Sequence, residues 1–210
     1  MPVKYKTAPE PAEEFDSLAD LNAAIATMEP LVPGATQAVL GEGPVGAQVA
    51  FVGEQPGDQE DRQGRPFVGP AGQLLDRALQ QAGIDRDRVY VTNAVKHFKF
   101  EQRGKRRIHQ RPTVGEVRHY RWWLQKELDF VDPAIVVALG ATAVLALAGK
   151  AIPIMRSRGE SVFDGRRGYI TVHPSALLRM PEEEGRQQAY EDFVADMKRV
   201  RALSKRGKAA

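Results

Sequence analysis

Short apolar runs alternate with longer amphipathic stretches along most of the chain. Four runs of apolar, aromatic or β-branched residues predict buried strands, at 49–52, 89–92, 135–139 and 169–172. Apolar residues at helical spacing predict five helices, over 15–28, 71–82, 113–128, 141–148 and 183–203. The third of these helices begins with a capping-box pattern, because Thr113 is followed three residues later by Glu116.

This alternation predicts an α/β fold with a short, mostly parallel four-stranded sheet that is covered by helices on both faces. Sheets of this kind bind ligands at the carboxyl ends of their strands. Glycine or polar residues follow all four predicted strands, at Gly53, Asn93, Gly140 and His173. We therefore expect one site that is built from four loops.

Composition narrows the classes of protein to which the chain can belong. Its 210 residues suffice for one domain over 1–210, with a loose arm over 1–14 and a basic tail over 204–210. The absence of cysteine excludes disulfides, thiol catalysis and cysteine-bound metals. Because no signal region is present and no apolar run approaches the roughly 20 residues that span a bilayer, we expect a cytoplasmic protein with no membrane partner. We also expect it to be a monomer.

The loop after the first strand, Gly53-Glu54-Gln55-Pro56-Gly57, is a candidate ligand-binding turn. Its glycines allow unusual backbone angles and the close approach of a ligand. Glu54 is able to act as a base or to stabilise positive charge. The loop matches neither the dinucleotide-binding nor the Walker pattern, and a tight turn with surface carboxylates is the alternative interpretation.

Two further side chains suit a planar ligand. Phe67 lies among residues that cannot form a regular helix, so its ring is available to stack on a base; packing before the next helix is the alternative. Asn93 ends the second strand, and its amide presents one acceptor and two donors, which match the adjacent N–H and carbonyl of an imide. An ordinary turn at the end of a strand would also favour asparagine.

The segment 96–111 is the most unusual in the chain. Seven of its sixteen residues are lysine or arginine, and Phe98 and Phe100 lie among them. Such a mixture suits contact with phosphates together with stacking or packing of the rings, with a solvated basic loop as the alternative. Its length and charge indicate an insertion near the site. It contains the run Lys105-Arg106-Arg107-Ile108-His109.

The fourth loop, His173-Pro174-Ser175, is expected to hold an imidazole at the edge of the sheet, where it can donate to a developing oxyanion. A lone histidine is more often structural, but this one shares the sheet edge with the other three loops. Downstream, Leu177-Leu178-Arg179 forms an apolar and basic tip that suits insertion into a base stack.

Together these segments resemble family-4-like members of the uracil-DNA glycosylase superfamily, over roughly residues 36–200. The segments that carry the resemblance are Gly53–Gly57, Pro66–Gly72, Thr92–Lys96 and His173–Ser175. The run over 105–109 resembles the UdgX subgroup, whose members become covalently bound to DNA. The resemblance implies a three-layer α/β/α fold and extrusion of the target nucleotide into a pocket.

The resemblance also implies roles in recognising and releasing the base. Phe67 would stack on uracil, and Asn93 would bind its pairing edge. His173 would stabilise the uracil anion as the glycosidic bond breaks. Gly53 and Gln55 belong to the same substrate-binding pocket.

Further implied roles concern the sugar and the DNA. Glu54 would assist at the anomeric carbon, and His109 would capture the sugar cation in place of water. A neutral imidazole is a competent nucleophile, and its fixed position gives it an advantage over water. The residues expected to contact DNA are Lys105, Arg106, Arg107, Ser175 and Arg179, of which the last would fill the gap in the duplex.

One feature of the family is missing from this sequence. Family members of this type usually hold an iron–sulfur cluster through cysteines, and this chain has none. Motif spacing places the usual ligands near Met28, Leu31 and Tyr120, with His97 near another. We therefore expect no cofactor, and we expect these residues and the neighbouring tryptophans to pack where the cluster would lie.

The resulting hypothesis is a nucleoid-associated uracil-DNA glycosylase that acts on uracil-containing DNA, single-stranded or double-stranded, and stays attached through His109. A conventional turnover glycosylase, with His109 as a DNA contact, is one alternative. A non-catalytic protein that binds uracil-containing or single-stranded DNA is another. An α/β enzyme acting on small nucleotides is supported by fold analogy alone.

Overall fold

The computed structural model of the protein describes residues 14–30 and 33–205. Most of the predicted arm over 1–14 and of the predicted tail over 204–210 lies outside these residues, as does Leu31. In the described part of the chain, no helix is both long enough and apolar enough to cross a membrane.

The nine strands and helices predicted from the sequence are all present, with ends that differ by at most three residues. The strands are β1 (Val49–Gly53), β2 (Tyr90–Asn93), β3 (Phe100–Arg103), β4 (Arg106–His109), β5 (Ile135–Leu139), β6 (Gly159–Phe163) and β7 (Arg166–Thr171). The helices are α1 (Leu18–Ala26), α2 (Asp58–Gln63), α3 (Pro70–Ala82), α4 (Val114–Val131), α5 (Ala141–Ala148), α6 (Ile154–Ser157), α7 (Pro174–Leu178) and α8 (Glu183–Ser204). A short 3₁₀ turn covers Arg86–Arg88. Thr113 caps α4 in the predicted capping box with Glu116.

The central sheet has five strands, in the order β2-β1-β5-β7-β6. The first four are parallel to one another, as predicted, but β6 pairs antiparallel with β7. The prediction of a four-stranded sheet was therefore wrong by one edge strand. Exposed and partly buried residues alternate along most of β6, because one side of an edge strand faces solvent, and so it lacks the apolar run that marks the inner strands.

The basic segment, for which the sequence predicted no strand, forms a β-hairpin. β3 and β4 pair antiparallel, with Phe100 opposite His109 and Arg103 opposite Arg106. Gly104 has a φ of 58°, the left-handed conformation that favours glycine in two-residue hairpin turns. The side chains of this hairpin are mostly polar, so the apolar alternation that identifies a strand in a sequence is absent.

Apolar side chains fill both faces of the sheet. Along β1, Ala50 and Val52 belong to the core that includes α4 and α5, whereas Val49 and Phe51 belong to the core that includes α3 and α8. Alternate residues of a strand point to opposite faces, so both faces are packed and the molecule has three layers, α/β/α. This rigid sheet fixes the positions of the loops at its carboxyl edge.

Candidate active site

A cavity of about 690 Å³ opens at the carboxyl ends of β1, β2, β5 and β7. The four loops predicted to meet do meet here, because Glu54, Asn93, Gly140 and His173 all line the cavity. Other predicted site residues in its wall are Gln55, Phe67, His109, Ser175 and Arg179. The hairpin tip, with Lys105 and Arg106, is exposed and lies outside this wall.

Gly53 allows two functional side chains to approach the end of β1. A Cβ atom at this position would lie 2.4 Å from Asn93 Oδ1 and 2.7 Å from Phe67 Cζ. Parallel pairing places Gly53 directly beside Asn93. In the structure Gly53 therefore shapes the pocket through its lack of a side chain.

Phe67 has a strained backbone and a packed ring. Its φ of 57° lies in the left-handed region, which residues other than glycine rarely adopt. Gly72 permits this turn, because a Cβ atom there would lie 1.7 Å from the Phe67 carbonyl oxygen. The ring is 7% exposed and stacks on His173, with centroids 6.3 Å apart. The ring packs in the core, as the alternative interpretation predicted, and it also lines the cavity. Stacking of the ring on a base stays a prediction.

His173 is held in one tautomer by the start of α7. Its Nδ1 accepts the backbone N–H of Ser175 at 3.2 Å and lies 2.8 Å from the Ser175 hydroxyl. Burial lowers the pKa of His173 to about 4, with Arg179 and His109 adding to the effect and Glu54 opposing it. The ring is thus neutral at neutral pH, and its proton lies on Nε2. That N–H remains available to a ligand in the cavity.

The Glu54 carboxylate lies close to residues from other parts of the chain, Thr142, Arg111 and His109. Its Oε2 accepts a hydrogen bond from the Thr142 hydroxyl at 2.5 Å and lies 3.8 Å from Arg111 Nε. Its other oxygen, Oε1, lies 3.4 Å from His109 Nε2. The carboxylate therefore faces the cavity with one oxygen fixed and one directed at the imidazole.

His109 ends β4 and faces the same cavity. Burial lowers its pKa, an effect that the Glu54 carboxylate opposes and the Arg179 guanidinium reinforces. A neutral imidazole carries a proton on one ring nitrogen and a lone pair on the other. Nε2 is the nitrogen nearest Glu54.

Gln55 holds the base of the hairpin. Its amide nitrogen donates to the carbonyl oxygens of Lys99 and Gln110, at 3.0 and 3.1 Å, and its oxygen accepts the Lys99 backbone N–H at 3.2 Å. These bonds tie the loop after β1 to both ends of the hairpin. The side-chain amide of Gln55 is therefore bonded to the protein itself. That Gln55 binds substrate stays a prediction, and it now concerns the backbone groups of this residue.

Arg107, one of the predicted DNA contacts, is engaged within the protein. Its side chain is only 10% exposed, and it forms salt bridges at 2.5 Å with both Asp58 and Asp61. The guanidinium also lies 5.3 and 5.1 Å from the ring centroids of Phe98 and Phe100. These contacts tie the hairpin that carries His109 to α2, and a contact of Arg107 with phosphates stays a prediction.

Most of the other charges in the basic segment are also paired within the protein. Lys96 is fully buried against Glu127 at 2.5 Å, Lys99 binds Glu116 at 2.8 Å, and Arg103 binds Glu101 at 2.9 Å. Lys105 and Arg106, at the hairpin tip, are exposed and have no acidic partner among the described residues. The positive surface is thus smaller than the sequence suggested.

The tip after β7 contains the remaining predicted DNA contacts. α7 places Ser175 and Arg179 in the cavity wall. Leu177 is fully buried, whereas Leu178 is 40% exposed and Arg179 is exposed. One apolar and one basic side chain therefore project beside the cavity, an arrangement that suits insertion into a gap in stacked bases.

The region expected to replace the family's iron–sulfur cluster is a packed hydrogen-bonded core. His97 Nδ1 lies 2.6 Å from the hydroxyl of the buried Tyr120, and Met28 packs against the core cluster that includes Tyr120. Burial lowers the pKa of His97 to about 4. Among the described residues no three acidic or histidine side chains converge as metal ligands would. Because the chain also lacks cysteine, these residues do not fit such a cluster.

Three polar residues at the site were not identified from the sequence. Thr142 and Arg111 approach Glu54, as described above. The buried Glu60 accepts the backbone N–H groups of Gly57 and Gly69, at 3.1 and 2.8 Å. The three-residue spacing between Gly57 and Glu60 was a usable capping signal, but no sequence pattern connects Thr142 with a glutamate 88 residues away.

Comparison with known proteins places this geometry in a family. Residues 40–198 match the family model described as the uracil DNA glycosylase superfamily. The chain is 38% identical over 167 residues to a type-4 uracil-DNA glycosylase of Thermotoga maritima, which covers 78% of this chain and 83% of that protein. It is 35% identical over 179 residues to a type-4 uracil-DNA glycosylase of Sulfurisphaera tokodaii, covering 80% and 76%.

A type-4 uracil-DNA glycosylase of Pyrobaculum aerophilum is 36% identical over 160 residues, covering 72% of this chain and 78% of that protein. The span that matches the family model includes every residue described in the cavity wall. The chain belongs to the uracil-DNA glycosylase superfamily.

Proposed function

We propose that this protein excises uracil from DNA and that His109 then bonds covalently to the abasic deoxyribose. One observation carries the proposal: His109 Nε2 lies 3.4 Å from Glu54 Oε1 in the wall of the family's pocket. A carboxylate able to stabilise a sugar cation is therefore beside a neutral imidazole able to trap it. Family membership supports the excision step, and the geometry of His109 supports the covalent step.

Recognition begins when a uracil nucleotide turns out of its strand into the cavity. The Phe67 ring supplies a surface on which the base stacks. The Asn93 amide pairs with the imide N–H and the adjacent carbonyl of uracil. Cytosine presents an amino group in place of that carbonyl and an acceptor in place of that N–H, so an amide in the orientation that pairs with uracil disfavours it.

Cleavage separates charge between the base and the sugar. As the bond from C1′ to uracil N1 breaks, its electron pair stays with uracil, which leaves as an anion, and the sugar becomes cationic. His173 donates its Nε2–H to a uracil carbonyl oxygen, and the Glu54 carboxylate stabilises the sugar cation. A neutral imidazole suffices here, because its Nε2–H donates this hydrogen bond without the ring having to be charged.

Capture then forms a new bond to the same carbon. The lone pair of His109 Nε2 attacks C1′, and the alkylated ring carries a positive charge until Nδ1 releases its proton to solvent. The uracil anion takes up a proton, so atoms and charges balance. A nucleophile held at the reacting carbon has a large advantage over free water.

We further propose uracil-containing DNA, single-stranded or double-stranded, as the partner of a monomeric protein of the cytoplasm and nucleoid. The proposed DNA contacts are Lys105 and Arg106 at the hairpin tip, Ser175 on α7, and Arg179 directly after α7. A conventional turnover glycosylase is the second candidate function. It is favoured by the exposure of the His109 side chain, which is 44%, so that water reaches the same carbon.

The test mixes the protein with an end-labelled oligonucleotide that contains one uracil, beside a thymine control, and separates the products on a denaturing gel. We expect a uracil-dependent band that survives heat and detergent, one uracil released per protein, and loss of the band in His109→Ser. Peptide mass spectrometry should locate the adduct on His109. Free, alkali-cleavable DNA without the band would establish turnover, and binding without uracil release would contradict excision.

A further inference from the structure

Thr142 links the region that follows β5 to the loop that follows β1, because its side chain contacts Glu54. It is the second residue of α5, its side chain is 2% exposed, and its hydroxyl lies 2.5 Å from Glu54 Oε2. Gly140, with a φ of 87°, turns the chain from β5 into α5. A Cβ atom on Gly140 would lie 3.0 Å from His173 Cβ, so this turn also brings α5 close to the imidazole.

The Glu54 carboxylate has a different neighbour on each side. Oε2 accepts the Thr142 hydroxyl and lies 3.8 Å from the exposed Arg111, whereas Oε1 lies 3.4 Å from His109. The terminal torsion of a glutamate is broad, so the carboxylate turns freely unless a partner fixes it. Thr142 is the buried partner in contact with Oε2, whereas Arg111 is 67% exposed and its Nε lies 3.8 Å away.

We propose that Thr142 is a positioning residue that orients the Glu54 carboxylate toward His109 and thereby sets the partition between covalent capture and hydrolysis. The proposal rests on the function proposed above. Thr142 acts through Glu54 and touches neither base nor sugar. Without its hydroxyl, the carboxylate turns toward Arg111, the sugar cation loses its nearest stabilising charge on the side of His109, and water captures a larger share.

Two variants isolate the hydroxyl. Thr142→Val keeps the shape of the side chain and removes the donor, whereas Thr142→Ser keeps the donor. In single-turnover reactions on a uracil oligonucleotide, we expect Thr142→Val to form the adduct about tenfold more slowly, the loss typical of a hydrogen bond to a charged group. The ratio of free abasic DNA to adduct should rise. Thr142→Ser should stay within about twofold of the original protein in both quantities.

A second measurement needs no DNA and so separates this proposal from the proposed function. The four histidines are titrated by NMR, with His109→Ser identifying the His109 signals. The charged or titratable groups that line the cavity with His109 are Glu54, Glu60, Arg111, Arg179 and His173. If the carboxylate turns away in Thr142→Val, the pKa of His109 falls, whereas Thr142→Ser leaves it unchanged.

Each outcome decides the proposal. A lowered His109 pKa in Thr142→Val that Thr142→Ser restores supports the orientation of Glu54 by Thr142, even if the original protein forms no adduct and the covalent function itself fails. Equal His109 pKa values in the two variants, with folding verified by circular dichroism, overturn it. Equal product ratios in a protein that does form the adduct also overturn it, because the hydroxyl would then have no influence on capture.

Discussion

Gly53 and Asn93 lie side by side where two parallel strands end, and the absence of a side chain on one leaves room for the amide of the other. The register pairs the two residues directly, and a Cβ atom on Gly53 would lie 2.4 Å from Asn93 Oδ1. The proposed uracil-binding group is therefore held by backbone geometry. A substitution that adds a single methyl group tests this relationship.

Gly53→Ala should displace Asn93 and Phe67 from the cavity wall. We expect uracil release to fall by at least about tenfold, because a pocket that pairs with polar groups is sensitive to small shifts, and we expect discrimination against cytosine to weaken. Gly115→Ala is the matched control, since its Cβ would meet nothing closer than 3.9 Å. Unchanged release by Gly53→Ala would show that the Asn93 position is not critical.

Arg107→Ala should detach the hairpin and slow adduct formation. Removal of this guanidinium leaves the buried Asp61 without its cation, a change that typically costs about 3 kcal/mol of unfolding free energy. We expect that loss in urea unfolding and at least about tenfold slower capture, measured at a temperature where the variant is folded. Arg106→Ala should keep both properties and weaken DNA binding instead. Equal effects of the two variants on capture would contradict the anchoring role of Arg107.

DNA binding should depend on salt less steeply than the count of basic residues suggests. Of the seven lysines and arginines over 96–111, four are held in close ion pairs. With two to four free cations near the cavity, log affinity for single-stranded DNA should fall against log salt with a slope of about −1.4 to −2.8. Fluorescence anisotropy with His109→Ser, which prevents trapping, measures this slope. A slope near −5 would mean that the paired cations release their partners on DNA.

Stability should fall as the pH drops below 6.5. The pKa of His97 is lowered from 6.5 to about 4 by burial, so the unfolded chain binds more protons than the folded protein between these values. The contribution of the neutral ring is therefore complete above pH 6.5 and is lost as the pH falls toward 4, by up to about 3 kcal/mol. Urea unfolding from pH 7 to 4.5 measures it. His97→Gln should show a smaller loss, and an identical pH slope would exclude His97 as the cause.

Treatment with an iron chelator should leave uracil release and unfolding unchanged. The chain has no cysteine, and the hydroxyl of Tyr120 engages His97 where the family's cluster is expected. Iron and sulfide analysis of the purified protein should find neither in stoichiometric amount. Loss of activity on chelation, reversed by iron, would show that a metal is bound through other groups.

The sequence identified the frame of the site because its signals are local. Continuous apolar runs marked the four parallel strands, and parallel strands bring their carboxyl ends to one edge whatever the side chains are. Glu54, Asn93 and His173 could therefore be placed together from their positions after strands. The apolar pattern did not predict the edge strand β6 or the hairpin, since both carry mainly polar residues and lack the apolar run of an inner strand.

Only the tertiary structure decided what the charged side chains do. From the sequence, Arg107 is one cation among seven, and its burial between two aspartates of α2 depends on how the hairpin folds back. Thr142 reaches Glu54 across 88 residues, a distance at which composition and periodicity carry no information. Apolar periodicity predicts strands, helices and the sheet edge, because the apolar pattern of each segment is a local property of the sequence. The pairing of charges and hydrogen-bond donors depends on contacts between distant segments, and only the folded chain brings these together.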